Sequence, residues 1–294
     1  MRIALITNPK AGRNSGLVAA ARAADEFEKA GWETVTRLTT GPGDATRLAR
    51  EAADEGFDAV FACGGDGTLS QALAGLLDTS VPGGMIPAGT GNDFARTIDL
   101  SRDPAAAARQ LIEGHAKKID LLQINDGALW SVNVVGVGFD AAVAERINRR
   151  RRLTGGLLAY LTAVAQELVS YRPTQMYLRV DEQQWEGKAL LLAVANARSY
   201  GAGMKIAPTA EIDDGVLDVV LVEHISRMEF IRTFPRVLRG THIAHRAVRT
   251  WKGKEVRIET PEPSPVLVDG DVQGDTPVHV RVSPGRARLW MPGR

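Results

Sequence analysis

The spacing of hydrophobic positions changes character partway along the chain. Up to residue 122, the short apolar runs "RIALITN", "ETVTRL" and "DAVFACG" alternate with longer segments, 17–30 and 44–55, that are closed by Gly31 and Gly56. Strands near five residues alternating with helices predict parallel βαβ units. The pattern then predicts a helix over 68–77, a strand over 84–87, and a helix over 105–113 with Asp103-Pro104 as its cap and first turn. From residue 123 the texture differs: an Asn125-Asp126-Gly127 turn and two helical stretches, 141–150 and 157–170, come first. The runs "QMYLRV", "KALLLAVANA", "VLDVVLVEH", "EVRIET", "SPVLVDG" and "VHVRV" follow, interrupted by one helical segment over 227–238. The expected fold class is therefore α/β, with an open parallel α/β domain over 1–122 and an antiparallel sheet domain over 123–294.

Composition narrows this reading without redirecting it. The 294 residues are 44% hydrophobic and 24% charged, the balance of an ordinary globular chain. "MRIALITNPK" turns polar before reaching signal-peptide or membrane-spanning length, so a cytoplasmic protein is expected. Cys63 is the only cysteine; it excludes an internal disulfide or a thiolate metal cluster within one chain and is expected to pack as a small apolar residue. The net charge of +1 conceals a division, with 13 basic and 16 acidic residues up to Leu122 and 23 and 19 beyond it.

Ligands of open α/β sheets bind beyond the carboxyl ends of the strands. Three polar, glycine-bearing loops fall there: "NPKAG" (8–12), "GGDGTLS" (64–70) and "PAGTGNDFAR" (87–96). Glycines admit close approach of backbone N–H groups to phosphate oxygens, and a helix start adds its positive dipole end. The loops match neither a Walker motif nor a dinucleotide fingerprint, since Gly136 and Gly138 lack the third glycine. Asp66 and Asp93 would both lie beside the phosphates, an arrangement that calls for divalent cations, with Mg²⁺ expected. Two other readings stay open: Asp66 capping the following helix, and Asp93 making an Asx turn. His242 and His245 read as surface residues among arginines.

Six motifs in order, "NPKAG", "CGGDGTLSQAL", "IPAGTGNDFAR", "KKIDLL", "PTAEIDDGVLDVV" and "LVDGDVQGDTP", resemble the diacylglycerol kinase catalytic family, specifically its stand-alone bacterial lipid kinases. "GGDGT" alone is shared with NAD kinases and, more distantly, phosphofructokinases. The resemblance implies a C-terminal β-sandwich-like domain, ATP as phosphoryl donor, Mg²⁺, and transfer to a lipid hydroxyl. It also implies that the last strand, "ARLWMP", returns to the first domain. By motif, the nucleotide contacts would be Asn8, Pro9, Lys10, Ala11, Gly12, Thr39, Gly64, Gly65, Asp66, Gly67, Thr68, Leu69, Ser70 and Thr90. Asp66, Asp93 and Asp120 match the acids of the catalytic metal and phosphate network. A structural Mg²⁺ site maps onto the Asp214 side chain and the backbone carbonyls of Glu211 and Val216. The family's D-G-E reads Asp269-Gly270-Asp271 here, so the general base falls to Asp271, one methylene shorter.

A lipid substrate implies access to an anionic membrane surface from the cytoplasmic side. Arg146 and Arg149 to Arg152 precede an apolar-faced helix, and the segment over 232–254 is basic. Such segments are drawn to anionic headgroups; nucleic-acid contact or a solvated face would use the same residues. The partners expected are a lipid and a peripherally contacted membrane, not nucleic acid, with a homodimer left open. Two rival functions remain: a soluble-substrate kinase like NAD kinase, and a lipid- or nucleotide-binding regulator without turnover.

Overall fold

The computed structural model describes residues 1–149, 157–201 and 203–293. The chain divides into two compact units, Met1–Leu121 with Pro284–Arg294, and Leu122–Ser283.

In the first unit the elements run β1 (Arg2–Thr7), α1 (Ala11–Asn14), α2 (Gly16–Lys29), β2 (Glu33–Leu38), α3 (Asp44–Asp54), β3 (Ala59–Gly64), α4 (Asp66–Gly75), β4 (Gly83–Pro87), α5 (Asp93–Thr97), α6 (Pro104–Ile112) and the start of β5 (His115–Ile124). The four first strands form a parallel sheet in the order β2-β1-β3-β4. Burial follows position in the sheet: β3 is buried at every residue, whereas the edge strand β2 alternates between half-buried and exposed. Central parallel strands are covered on both faces, which is why "AVFAC" reads as a continuous apolar run. The Cys63 thiol lies within this core, and burial pushes its pKa up to about 12. At the start of α6, the Asp103 carboxylate accepts from Ala106 N at 3.0 Å, with Pro104 in the first turn.

Residues 284–294 complete this unit. Leu289, at the end of β15 (Val278–Met291), pairs in parallel with Gly83. Trp290 stands edge-on to Trp32 and Phe61, with ring centroids 6.0 and 6.4 Å away, and its indole N–H donates to Leu111 O at 2.8 Å. Gly84 makes room for Phe61 in that cluster, since a Cβ there would lie 2.4 Å from the ring.

The second unit is antiparallel and β-sandwich-like. Its elements are β6 (Leu129–Ser131), β7 (Val134–Gly138), α7 (Phe139–Arg149), α8 (Leu157–Ser170), β8 (Thr174–Val180), β9 (Gln183–Ala195), β10 (Leu217–Glu223), α9 (Arg227–Arg239), β11 (Val248–Gly253), β12 (Glu255–Glu259), β13 (Pro265–Val268) and β14 (Asp271–Asp275). Strand β9 is the hub, pairing with β7, β8 and β10. Alternate residues of its second half enter two separate cores. Leu192 and Val194 join the sandwich interior, while Leu191, Ala193 and Ala195 lie with Phe139, Ala163 and Phe230 on the helical side.

Three local expectations change. Helix α4 starts at Asp66 rather than Thr68, because the Gly65 carbonyl already accepts from Thr68 N and Leu69 N and closes the first turn over Asp66-Gly67. Strands β11 and β14 were not expected; "VRTWKG" and "DVQGD" are mostly polar, and pairing with β10 and β13 defines them. His242 is buried, at 3% exposure, with Nε2 3.1 Å from Ile206 O, and burial lowers its pKa. The histidine sits in a tight turn after α9 that packs inward, which its arginine-rich surroundings in sequence conceal.

Trp290→Ala removes both the aromatic contacts and the indole donor. The substitution is expected to destabilise the protein by about 3 kcal/mol in denaturant unfolding, with Trp290→Phe recovering roughly half. A wild-type midpoint for the alanine variant would mean that the C-terminal residues do not brace the first unit.

Candidate active site

The loops after β1, β3 and β4 meet at the carboxyl ends of those strands. Ala88 N and Gly89 N both donate to Gly64 O, at 2.9 and 3.1 Å, which stitches the third loop to the second. Gly89 and Gly65 are back to back: a Cβ on Gly89 would lie 2.7 Å from Gly65 Cα and 2.8 Å from Asn92 Oδ1. Gly12, at φ +52°, approaches Ala88 so closely that a Cβ would fall 2.1 Å from its carbonyl oxygen, bringing in the first loop. Asn8 anchors its own loop by accepting from Lys10 N at 3.0 Å, while Asn8 N donates to Cys63 O. At the neighbouring strand end Thr39 N donates to Thr7 O, and the Asp44 carboxylate accepts from Thr40 N, Thr40 Oγ1 and Gly41 N. The Thr40 hydroxyl, then its backbone N–H, hold that carboxyl well below the usual carboxylate range.

Asp66 does not cap its own helix. Its Oδ2 accepts from Asp93 N at 2.9 Å and its Oδ1 from Phe94 N at 3.1 Å, so the carboxylate caps α5 and fixes the third loop. Asp93 is 3% exposed, and its Oδ1 lies 3.3 Å from Arg96 Nη1, which also donates to Gly91 O at 2.7 Å. Asn92 adopts a left-handed conformation at φ 51° and closes a ring with Gly89, accepting from its N–H and donating to its carbonyl, each at 2.9 Å. Asn92 and Arg96 were not singled out in the sequence, although both lie within "GTGNDFAR".

The other candidates in this unit distribute differently. Asp120, on β5 and 2% exposed, accepts from Gly285 N at 2.7 Å. Leu69 and Ser70 point inward at 0% and 3% exposure, and Ala11 and Thr68 are also buried. Leu69 therefore serves the core, leaving only its backbone for a ligand. Lys10 and Thr90 are exposed; Pro9, Gly65 and Gly67 are half-buried. The oxygen-only acids at 66 and 93 suit a hard cation such as Mg²⁺.

In the second unit, Asp271 opens β14 opposite Val268. The residue is exposed, yet desolvation by surrounding protein still raises its carboxyl pKa. Asp269 and Gly270, at φ 49° and 94°, form the two-residue turn before it. The Asp269 carboxylate accepts from Ser131 Oγ at 2.6 Å, from Asn133 N and Val134 N at 3.2 Å, and from Val132 N at 3.4 Å. The side chain preceding Asp271 by two residues thus fastens the turn to the start of β7, a role that the bare D-G-D pattern does not announce.

Asp214 accepts from Val216 N at 3.2 Å and lies 3.3 Å from Lys252 Nζ, which also lies 3.2 Å from the nearly buried Asp218. Desolvation alone would lower the Lys252 pKa; the two carboxylates outweigh it and raise the value. Glu211 is exposed. Among the described residues, no three His, Cys, Asp or Glu side chains are grouped to hold a metal. A cation suits this place, but a divalent ion at Asp214 competes with the Lys252 ammonium.

Also in this unit, sixteen residues surround an apolar cavity that opens to solvent. Its walls include Leu191, Met204, Phe230, Phe234 and Val237, with Asp140, Tyr200 and His242 as polar members. Burial pushes the Asp140 carboxyl up to about 6, against a hydrogen bond from Ala141 N at 2.9 Å. Gly136 leaves the space that this carboxylate fills, since a Cβ there would lie 2.0 Å from Asp140 Oδ2.

Comparison with known proteins fits both units. A family model described as "Diacylglycerol kinase catalytic domain" matches residues 2–124, and one described as "YegS C-terminal NAD kinase beta sandwich-like domain" matches residues 133–291. A diacylglycerol kinase of Mycobacterium tuberculosis is 35% identical over 99% of this chain and 95% of its own length. One of Bacillus subtilis is 35% identical, covering 94% of this chain and 91% of its own. A "Probable lipid kinase YegS-like" of Xanthomonas euvesicatoria is 32% identical over 98% and 96%. The crystal structure of a diacylglycerol kinase from Bacillus anthracis superposes with a TM-score of 0.80 at 26% identity, covering 99% of this chain and 96% of that one.

Gly89→Ala is expected to lower stability by about 1–3 kcal/mol and turnover by about 10²-fold, because its methyl must push the Gly65 backbone aside by roughly 1 Å. Unimpaired turnover would show that the packing of these loops does not govern the site. Lys252→Met should cost roughly 1–2 kcal/mol, allowing for the exposure of the lysine. Millimolar Mg²⁺ should then raise the melting temperature of that variant by more than that of the wild type, as read by calorimetry.

Proposed function

The chain belongs to the diacylglycerol kinase catalytic family and is a lipid kinase, and we propose that it transfers the γ-phosphoryl group of ATP to the hydroxyl of diacylglycerol or a related lipid with Mg²⁺ bound. The observation that carries the proposal is the Asp66 carboxylate holding the third glycine loop against the second. Three backbone-lined turns kept in contact offer N–H groups to a polyphosphate without side chains in the way. Asp66 and Asp93 are the residues that would hold Mg²⁺, and the ion would neutralise charge on the transferring phosphoryl group.

Phosphoryl transfer needs positioning, charge neutralisation and a group to take the proton of the attacking hydroxyl. Asp271 takes that proton as the lipid oxygen bonds to the γ-phosphorus and the bond to the ADP oxygen breaks. Asp269 is its positioning residue, since four donors from residues 131–134 fix the turn. The apolar cavity beside α9 suits the acyl or alkyl chain of the lipid, and its apolar lining supports a substrate more hydrophobic than a nucleotide. Among the described residues no helix is long and apolar enough to cross a membrane, so peripheral contact from the cytoplasmic side is the mode proposed for reaching this substrate. The arginine run used for that purpose in sequence lies at 150–152 outside the described residues, with only the backbone of Arg149 inside α7.

ADP release with Mg-ATP, measured against micelles of diacylglycerol, phosphatidylglycerol, ceramide and a sphingoid base, tests the function. No lipid-dependent release from any of them would overturn it. Asp271→Asn should lower turnover by about 10²- to 10⁴-fold with little change in ATP affinity. The base works deprotonated and its pKa is raised, so the acid limb of kcat/KM should lie above the ordinary aspartate range and disappear in the variant. Full activity of Asp271→Asn would remove the assignment.

A further inference from the structure

Helix α9 carries two apolar faces, and only one of them is used by the fold. Phe230, Phe234 and Val237 turn inward to the cavity. Met228, Ile231 and Leu238 remain exposed at 59%, 58% and 43%, and exposed Pro235 stands between the last two. These four fall at i, i+3, i+7 and i+10, which places them on one stripe of an α-helix. At the end of α8, Val169 is also 66% exposed, and its carbonyl accepts from Arg227 Nη2.

Charge decides what covers this stripe. Arg227 borders one side, and Arg232, Arg236 and Arg239 border the other, all exposed. The single acid of the helix, Glu229, is turned to His245 and Arg246. Among the described residues, no carboxylate lies within ion-pair distance of Arg232, Arg236 or Arg239. An apolar stripe edged by arginines on long, flexible stems matches the interface of an anionic bilayer, where the stripe sinks about 5–10 Å and the guanidinium groups reach headgroup phosphates. A protein partner would need acids and a complementary groove; a bilayer needs only area and negative charge.

We propose that the outer face of α9 is the surface by which the protein docks on an anionic membrane, with the stripe of Met228, Ile231, Pro235 and Leu238 lying in the interface. This deepens the lipid-kinase reading and rests on it for its purpose, since the same helix presents one face to the bilayer and the other to the cavity. A lipid then passes over a single helix width between the two.

The test is co-sedimentation of the full chain with phosphatidylglycerol or phosphatidylcholine vesicles, without ATP or diacylglycerol. Wild type should bind the first strongly and the second weakly. The triple variant Arg232→Gln, Arg236→Gln, Arg239→Gln should bind phosphatidylglycerol about 100-fold more weakly and with less salt dependence. Met228→Ser combined with Ile231→Ser should weaken binding even at high salt. Ile231→Trp should show fluorescence quenching by brominated lipid, which reports insertion directly. Phosphorylation of a short-chain, water-soluble diacylglycerol should be unchanged in all three. Wild-type vesicle binding in the first two variants, or no quenching in the third, overturns the proposal. Unchanged vesicle binding with loss of a dimer in light scattering would assign the face to a second copy of this chain, and overturns it too. Failure of wild type on the soluble substrate would count against the kinase reading alone, because vesicle binding is read without turnover.

Discussion

The two hydrogen bonds from Asp93 N and Phe94 N to the Asp66 carboxylate are the constraint on which the arrangement of the first unit's loops depends. A helix N-terminus leaves its first N–H groups without partners, and α5, with five residues, is too short to supply them otherwise. A carboxylate from the next loop satisfies two of them. The bargain works in both directions, because a nearly buried acid gains donors and the third loop gains a fixed position. Gly89 permits it by letting its backbone touch that of Gly65 where a Cβ would intervene, and Gly64 leaves room for the Thr68 side chain. The same acid is then held rigid by the loop that it fixes.

A different constraint shapes the second unit. Strand β9 is buried on both faces in its second half, so two apolar cores share it, one inside the sandwich and one beneath the helices. The helical core closes incompletely and leaves the cavity. Asp140 sits at the edge of that core with its carboxyl pushed up to about 6, so that burying it costs more as its charged form becomes dominant. The sign follows from linkage: its contribution to stability is fully present below the unfolded-state value and fades as pH rises through about 6.

The elements with strict periods were legible in the sequence because local propensity and burial agree in them. The parallel strands β1, β3 and β4, the helix α6 behind Asp103-Pro104, and the strands around β9 all fall in this class. What escaped was set by contacts distant in sequence. The donors to Asp66 lie 27 and 28 residues away, and those to Asp269 more than 130 residues away. Polar strands β11 and β14 exist through pairing rather than through pattern. His242 was misplaced because arginines nearby in the chain face outward while the turn carries its ring inward. The candidate acids could be named from motif order; the partner that each one holds required coordinates.

The first unit is discontinuous in the chain, with 162 residues of the second unit lying between Leu121 and Pro284. The last segment brings Leu289 beside Gly83 and Trp290 into the Phe61 cluster. During synthesis the parallel sheet must therefore wait. Its four strands emerge early, but the residues that cover β4 leave the ribosome only after the entire inserted unit. For that interval the edge of β4 is exposed as an unpaired template, a state prone to wrong pairing. The inserted unit is thus synthesised whole before the parallel sheet can be completed.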